Sequence, residues 1–248
     1  MGLAAILGFL EALSRLGVVD PRSFPPISED VGALVLQLPD LAFWEAVAAT
    51  LEGWALGLGV AVALAVPLGI LLGSLPPADH ALRAVIEFLR PIPSVALIPL
   101  AILLYGLGVT SEVFLVAFAS FWPLLIQTLY GVRDVDPVAL ETSRAFGDSW
   151  PRRAGRIVLP SALPYLATGL RIASATALIL AVTAELIIGS PGLGREIEVA
   201  RSAGAYSLMY GLIIATGVLG WGLDTVLDRT ERQVLHWHPL HRGAEAAS

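Results

Sequence analysis

Residues 50–75 read TLEGWALGLGVAVALAVPLGILLGSL, an apolar run long enough to cross a bilayer as one helix. A crossing needs about 20 residues at about 1.5 Å rise each to traverse a hydrocarbon core about 30 Å thick. The same reading picks out Pro93 to Gly108, Val113 to Val132, Leu163 to Gly189 and Tyr206 to Val226. Pro93 to Gly108 is short unless its helix begins earlier, around Ala81 to Arg90. A sixth candidate, Leu3 to Val19, is interrupted by Glu11 and Arg15. It has neither the basic n-region nor the clean cleavage site of a signal peptide, so it reads as an abbreviated first span. With 56% hydrophobic and 15% charged residues and a mean hydropathy of +0.77, the chain is too apolar for a soluble domain of this length. The expected class is an all-α integral membrane protein of five to six transmembrane helices.

The 15 cationic residues are all arginine. If the N-terminus is inside, Arg83, Arg90, Arg133, Arg144, Arg152, Arg153, Arg156, Arg229, Arg232 and Arg242 fall in cytoplasmic segments, and only Arg22, Arg195 and Arg201 fall outside. That bias places both termini in the cytoplasm. Arg171, about two turns into the fifth span, can snorkel inward. The net charge of -6 describes no uniform surface, because Asp20, Glu29, Asp30, Asp40, Glu196 and Glu198 gather on the outer side. Without cysteine, the chain has no disulfide or thiolate chemistry.

One membrane domain accounts for residues 1–248, with a polar, arginine-rich cytoplasmic loop at 133–160. Asp20 to Asp40, with Pro21, Pro25, Pro26 and Pro39, reads as an external loop. Phe43 to Trp54 has the composition of an interfacial helix feeding the second span. The tail after Asp228 is polar and is expected to fray beyond Trp237. Within the loop, Asp136-Pro137 supplies an N-cap and a first-turn proline, and Gly147 a left-handed terminator, giving a helix of about ten residues. Asp148 or Ser149 then caps a second short helix through Trp150 and Pro151 that ends before Pro160. Two helices meeting at a glycine form a compact knob. Ala145 and Phe146 would anchor it in a partner's groove, and Glu141 and Arg144 would orient it. The alternative is an ordinary solvated loop.

The spacing Glu141-Thr142-Ser143, three residues, Gly147, nine residues, Ile157-Val158-Leu159-Pro160 resembles the coupling loop of ABC importer permeases. Further motifs are similar to permeases of the nitrate, sulfonate, taurine and bicarbonate group: Arg90-Pro91-Ile92-Pro93, Ala96-Leu97-Ile98-Pro99-Leu100, Gly131-Val132-Arg133, Val135-Asp136-Pro137, Leu163-Pro164-Tyr165, Gly169-Leu170-Arg171-Ile172-Ala173, Ala184-Glu185-Leu186 and Gly192-Leu193-Gly194. The likeness covers roughly residues 45 to 230. Thr142 and Ser143 replace the usual alanine pair, a small-for-small change, and the N-terminal span is shorter than usual. The resemblance implies a type I importer bundle. It pairs this chain with a second permease copy or a related permease, two ATPase subunits and an external substrate-binding protein, within membrane lipid. It assigns Glu141, Thr142, Ser143, Arg144, Ala145, Phe146, Gly147 and Asp148 to ATPase coupling. The chain lacks a G-x-x-x-x-G-K-[ST] phosphate loop. ATP and Mg would therefore be bound by the partner ATPase, with no cofactor and no catalytic residue here. The expected solute is a small anion. No nucleic-acid partner is implied.

Inside the membrane, Pro67, Pro99 and Pro123 interrupt helical ladders and can kink spans. Glycines 57, 59, 69, 73, 211, 217, 220 and 222 let helices approach closely. Ser94, Tyr105, Ser120, Gln127, Ser174, Thr176 and Thr183 can line a polar path, or the Ser and Thr hydroxyls can bond their own helix carbonyls. Glu185, near the outer end of its helix, can face such a path or tie down the Gly189 to Gly194 loop through backbone N–H groups. Asp224 and Asp228 read as helix-end carboxylates at the cytoplasmic surface. His236, His238 and His241 have loose metal-like spacing in a polar tail. A stand-alone transporter or channel would show inverted repeats, half-helices or midplane charges, and the sequence displays none. A membrane scaffold is distinguished by whether the loop binds an ATPase.

Overall fold

The computed structural model describes residues 2–16, 18–20 and 23–235. Among them every regular element is helical: α1 (Gly2–Arg15), α2 (Ile27–Gln37), α3 (Leu41–Ser74), α4 (Pro76–Leu89), a 3-10 turn (Ser94–Leu97) running into α5 (Ile98–Tyr105), α6 (Val109–Arg133), α7 (Pro137–Ala145), α8 (Trp150–Arg153), a π-helical stretch (Ala154–Val158) leading into α9 (Leu159–Ile188), α10 (Leu193–Ser202) and α11 (Tyr206–Val234). The histidine triplet in the tail and the expected fraying beyond Trp237 lie outside the described residues.

Among the described residues four stretches are long and apolar enough to cross a membrane: α3, α6, the continuous helix Trp150–Ile188, and α11. A fifth crossing exists if α4 and the Ser94–Tyr105 segment are one broken span, bent by 84°. The bend falls on Arg90-Pro91-Ile92-Pro93, where Arg90 is still helical and the two prolines that follow lack the N–H donors needed to continue the ladder. Pro93 to Gly108 is therefore not lengthened by a helix from Ala81. Pro99 lies in the first turn of α5 and starts a helix instead of kinking one, whereas Pro67 and Pro123 stay inside α3 and α6. The N-terminal candidate span is only the 14-residue α1, about 21 Å at helical rise, too short to cross alone.

Two more expectations are corrected. The stretch between Asp20 and Asp40 contains α2, which starts after Pro26, with Glu29 and Asp30 in its first turn where the helix dipole favours acids. Phe43 to Trp54 is no separate interfacial helix but the beginning of the 34-residue α3, capped by Asp40, whose Oδ1 accepts the Ala42 N–H at 3.0 Å.

α6 is the axis of the bundle, flanked by α3 and α9. Half of its apolar window is buried against 11% for α11, which runs along the rim. Leu72, Leu124, Leu125, Val116, Ala65, Ala173 and Ala181 form the centre of this three-helix core. Leu56, Leu64, Leu103 and Ile179 point outward, an apolar exterior that suits lipid. Close approach of α3 to α6 depends on particular glycines. A Cβ on Gly69 would lie 2.6 Å from Thr128 Cβ, and one on Gly73 2.6 Å from Val132 Cβ; Gly57 is in similar contact with Val116. Gly211 does the same for α11 against Asp30 O of α2, at 2.8 Å. Gly59, Gly217 and Gly222 face open space.

Candidate functional site

The cytoplasmic-loop candidate is built as a rigid knob. Asp136 Oδ1 accepts the Val138 N–H at 2.8 Å and Pro137 opens α7. At its other end Gly147 has φ of +78°. The Gly147 N–H reaches Arg144 O at 2.9 Å and the Asp148 N–H reaches Ser143 O at 3.1 Å. That paired 5→2 and 6→1 pattern is the left-handed glycine stop. The expected first helix is thus present as nine residues.

Asp148 then locks the two halves. Its Oδ2 accepts from Ser143 Oγ at 2.8 Å, its Oδ1 from Arg152 at 3.3 Å, and its carbonyl from Arg153 at 2.7 Å. The Ser143 hydroxyl, followed by Arg152, holds the Asp148 carboxyl below the usual carboxylate range. Ser149 occupies the cap position of α8 without a side-chain cap bond. The second helix does not end before Pro160. It passes through the π-helical turn, where the Leu159 N–H bonds Ala154 O, and continues through Pro160 as α9. Val132, Val135, Val158 and Ala162 pack the base of the knob, and Tyr165 donates to Asp134 at 2.8 Å.

What remains outward is one stripe. Val138, Glu141, Thr142 and Ala145 follow helical i, i+3, i+4, i+7 spacing and all are exposed, as is Arg144. Phe146, at the tip, is 85% exposed, with Trp150 beside the same turn at 46%. Ser143 is buried and Asp148 half-buried. Of the eight loop residues, Glu141, Thr142, Arg144, Ala145 and Phe146 are therefore available to a partner. Gly147 shapes the turn, and Ser143 with Asp148 hold it together.

Of the polar residues expected within the bundle, Ser174 and Thr183 share one cavity of about 450 Å³ between α9 and α11, and the others lie apart from it. Ser120 donates to Ala173 O at 3.2 Å across α6 and α9, and Gln127 packs where Gly169 lets the same helices touch. Thr176 and Thr183 bond their own helix at Ile172 O and Ile179 O. Ser174 is buried, its carbonyl accepting from Trp54. Ser94 is half-buried at the start of the 3-10 turn. Tyr105 is exposed against Phe114, ring centroids 5.4 Å apart. Arg171 joins α9 to α11 by ion pairs with Asp224 at 3.0 Å, Asp228 at 3.3 Å and Glu231 at 3.8 Å, so the two aspartates are partners in a tie and not isolated helix-end charges.

Glu185 is fully buried and its Oε2 accepts the Gly194 N–H at 2.7 Å, the loop-tying alternative. It belongs to a polar node in which each central helix sends one side chain to the turn before α10. Thr50 of α3 accepts the Leu193 N–H at 2.9 Å, and Glu112 of α6 accepts from Ser190 Oγ at 2.7 Å. Sequence reading missed Glu112 because it began that span at Val113. A carboxylate one turn into an apolar run, following Gly106 and Gly108, is the signal that was available.

The described residues thus define a multi-span helical membrane protein with a rigid, apolar-tipped knob between α6 and α9. Residues 65–234 match the family described as binding-protein-dependent transport system inner membrane component, and the chain belongs to it. It is similar to the taurine transport system permease protein TauC of Escherichia coli (strain K12), 30% identical over 95% of this chain and 88% of that one. It is also similar to the putative aliphatic sulfonates transport permease protein SsuC of Bacillus subtilis (strain 168), 29% identical over 97% and 87%. The bicarbonate transport system permease protein CmpB of Synechococcus elongatus is 29% identical over 94% and 88%. Its fold is shared with the inward-facing MetNI methionine ABC transporter, with a TM-score of 0.69 at 20% identity, covering 79% of this chain and 98% of that one. The protein is a multi-pass permease subunit of an ABC importer.

Proposed function

We propose that residues 133–160 form the surface through which a separate ATPase drives this permease, and that the imported solute is a small oxyanion such as a sulfonate or bicarbonate. The observation that carries the docking assignment is Phe146, 85% exposed at the tip of a knob whose interior is otherwise satisfied. An aromatic held rigidly in the open is the form of a binding anchor. Glu141 and Arg144 flank it as orienting charges. Two such knobs, from two copies of the chain or from it and a related permease, engage two ATPase subunits. ATP and Mg belong to those subunits, and this chain performs no hydrolysis. An external binding protein delivers solute to the opposite face. The knob and the C-terminal end of α11 face the cytoplasm, supported by the arginine distribution. The names of the taurine, sulfonate and bicarbonate relatives support the solute class. Tyr105, exposed on α5, and Thr176, half-buried on α9, are the residues from which a path would be mapped.

The test is ATP-dependent uptake of labelled taurine, an alkanesulfonate and bicarbonate by membranes carrying wild type, Glu141→Arg, Phe146→Asp or Gly147→Pro. Proline at 147 removes the N–H bound to Arg144 O and cannot adopt φ of +78°. All three variants are expected in the membrane at wild-type level but without uptake. Undiminished uptake in Phe146→Asp refutes the docking assignment, and uptake of none of the three anions by wild type refutes the solute class.

A further inference from the structure

The elbow between α4 and α6 holds a cavity of about 540 Å³ whose lining includes Asp79, Arg83, Glu87, Arg90, Tyr130 and Arg133. One carboxylate oxygen, Asp79 Oδ2, serves both Arg83 and Arg133, each at 2.7 Å. The two guanidiniums are thereby fixed in direction while each keeps further N–H groups free, and their side chains are 52% and 40% exposed. Arg90 enters no ion pair among the described residues. Three arginines against two acids leave the cavity positive. Part of its wall is apolar: Ile86 and Pro91 line it from the α4 side, and Ile126 and Leu129 from α6, beside the half-exposed Tyr130.

From this juxtaposition we propose that the elbow binds the phosphate headgroup of an anionic phospholipid, with its acyl chains leaving past Ile86 and Ile126. Guanidinium N–H groups in a fixed fork match phosphate oxygens, and basic pockets between helices on the cytoplasmic side are suited to anionic headgroups. The apolar wall of Ile86, Ile126 and Leu129 favours a phosphate that carries a tail over a free one. The lipid would brace the end of α6 just before the loop that starts at Asp134, and so steady the knob. The proposal rests on the cytoplasmic orientation of that end.

Native mass spectrometry of the full-length chain in mild detergent, with equimolar phosphatidylglycerol and phosphatidylcholine, tests it. Phosphatidylglycerol adducts are expected to predominate, and Arg90→Gln is expected to cut their retention about fivefold, the effect of one interfacial charge. Arg229→Gln, the loss of an exposed arginine on α11, is expected to leave retention unchanged. Excess inorganic phosphate should not displace the lipid. Equal retention of the two lipids, an unaffected Arg90→Gln variant, or displacement by phosphate overturns the proposal. Labelling of a single cysteine placed at Ser149, in a chain that has no other cysteine, reports orientation separately, so an inverted chain is told apart from a missing lipid site.

Discussion

Adding one methyl group to α3 should have opposite effects at two glycines ten residues apart. At Gly69 the new Cβ would lie 2.6 Å from Thr128 Cβ, 2.8 Å from Thr128 Cγ2 and 3.2 Å from Leu125 O. Carbon atoms pack best at about 3.5–4.0 Å, so α3 and α6 would have to separate by roughly 1 Å. Thr128 cannot rotate freely out of the way, because its hydroxyl is bonded to Leu124 O at 2.7 Å and the residue is fully buried. Leu72, Leu125 and Ala65 share the same interface and lose contact with it. Overpacking of this kind costs about 1–3 kcal/mol. At Gly59 a Cβ meets nothing within 4 Å, and Gly→Ala in a helix gains roughly 0.5–1 kcal/mol. The two variants should therefore differ by about 1.5–4 kcal/mol, or roughly 3–16 °C in melting temperature for a chain of this size. Thermal unfolding of the purified protein, followed by intrinsic tryptophan fluorescence, measures the gap. Equal melting temperatures for Gly59→Ala and Gly69→Ala would refute the glycine-mediated α3–α6 contact.

The node beneath α10 makes a second contrast. Glu185→Ala deprives the buried Gly194 N–H of its acceptor and opens a void, costing about 2–5 kcal/mol, whereas Glu185→Gln keeps an acceptor and the volume and should cost less than about 1.5 kcal/mol. Melting curves that place Gln with Ala would contradict the tie. Asp30, buried where α2 meets α11, has its carboxyl pushed up to about 6 by burial first and then by Glu29 and Glu11. Because its folded value lies above the unfolded 3.8, the folded state holds more protons across that window, and α2 docking weakens as pH rises toward about 6 and stays weakened above it. Hydrogen exchange of residues 27–37, corrected for intrinsic rates, should show that loss of protection in wild type and not in Asp30→Asn. A flat wild-type profile would argue against the buried placement.

The long spans were legible because membrane-length apolar runs have few other uses. Their ends were not. α3 begins at Leu41 because Asp40 caps it, while the mixed composition of Phe43 to Trp54 suggested a separate element. α2 was hidden by flanking prolines, and its docking depends on Gly211 bringing α11 against Asp30, a contact far away in the chain. The bend after Leu89 was written in Pro91 and Pro93, but its 84° angle comes from packing. In the knob, Asp136, Pro137 and Gly147 declared themselves through local backbone chemistry. The Ser143–Asp148 bond did not, since it exists only once Gly147 folds the chain back. Pro160 suggested a helix end because a π-helical turn, which lets the helix run through it, has no simple residue signature. The glycines divided by face: 57, 69, 73 and 211 are contacts, whereas 59, 217 and 222 are not, a distinction that composition does not carry.

The central claim, that the knob is where the energy enters, is tested most directly by affinity purification of the tagged chain from its native membrane in mild detergent. Co-purifying proteins would be identified by mass spectrometry for wild type and Phe146→Asp. The account predicts a P-loop ATPase recovered with wild type and lost with Phe146→Asp, at equal yield of the chain itself. An ATPase retained by the variant, or wild type recovered alone under conditions that preserve other ABC complexes, would contradict it.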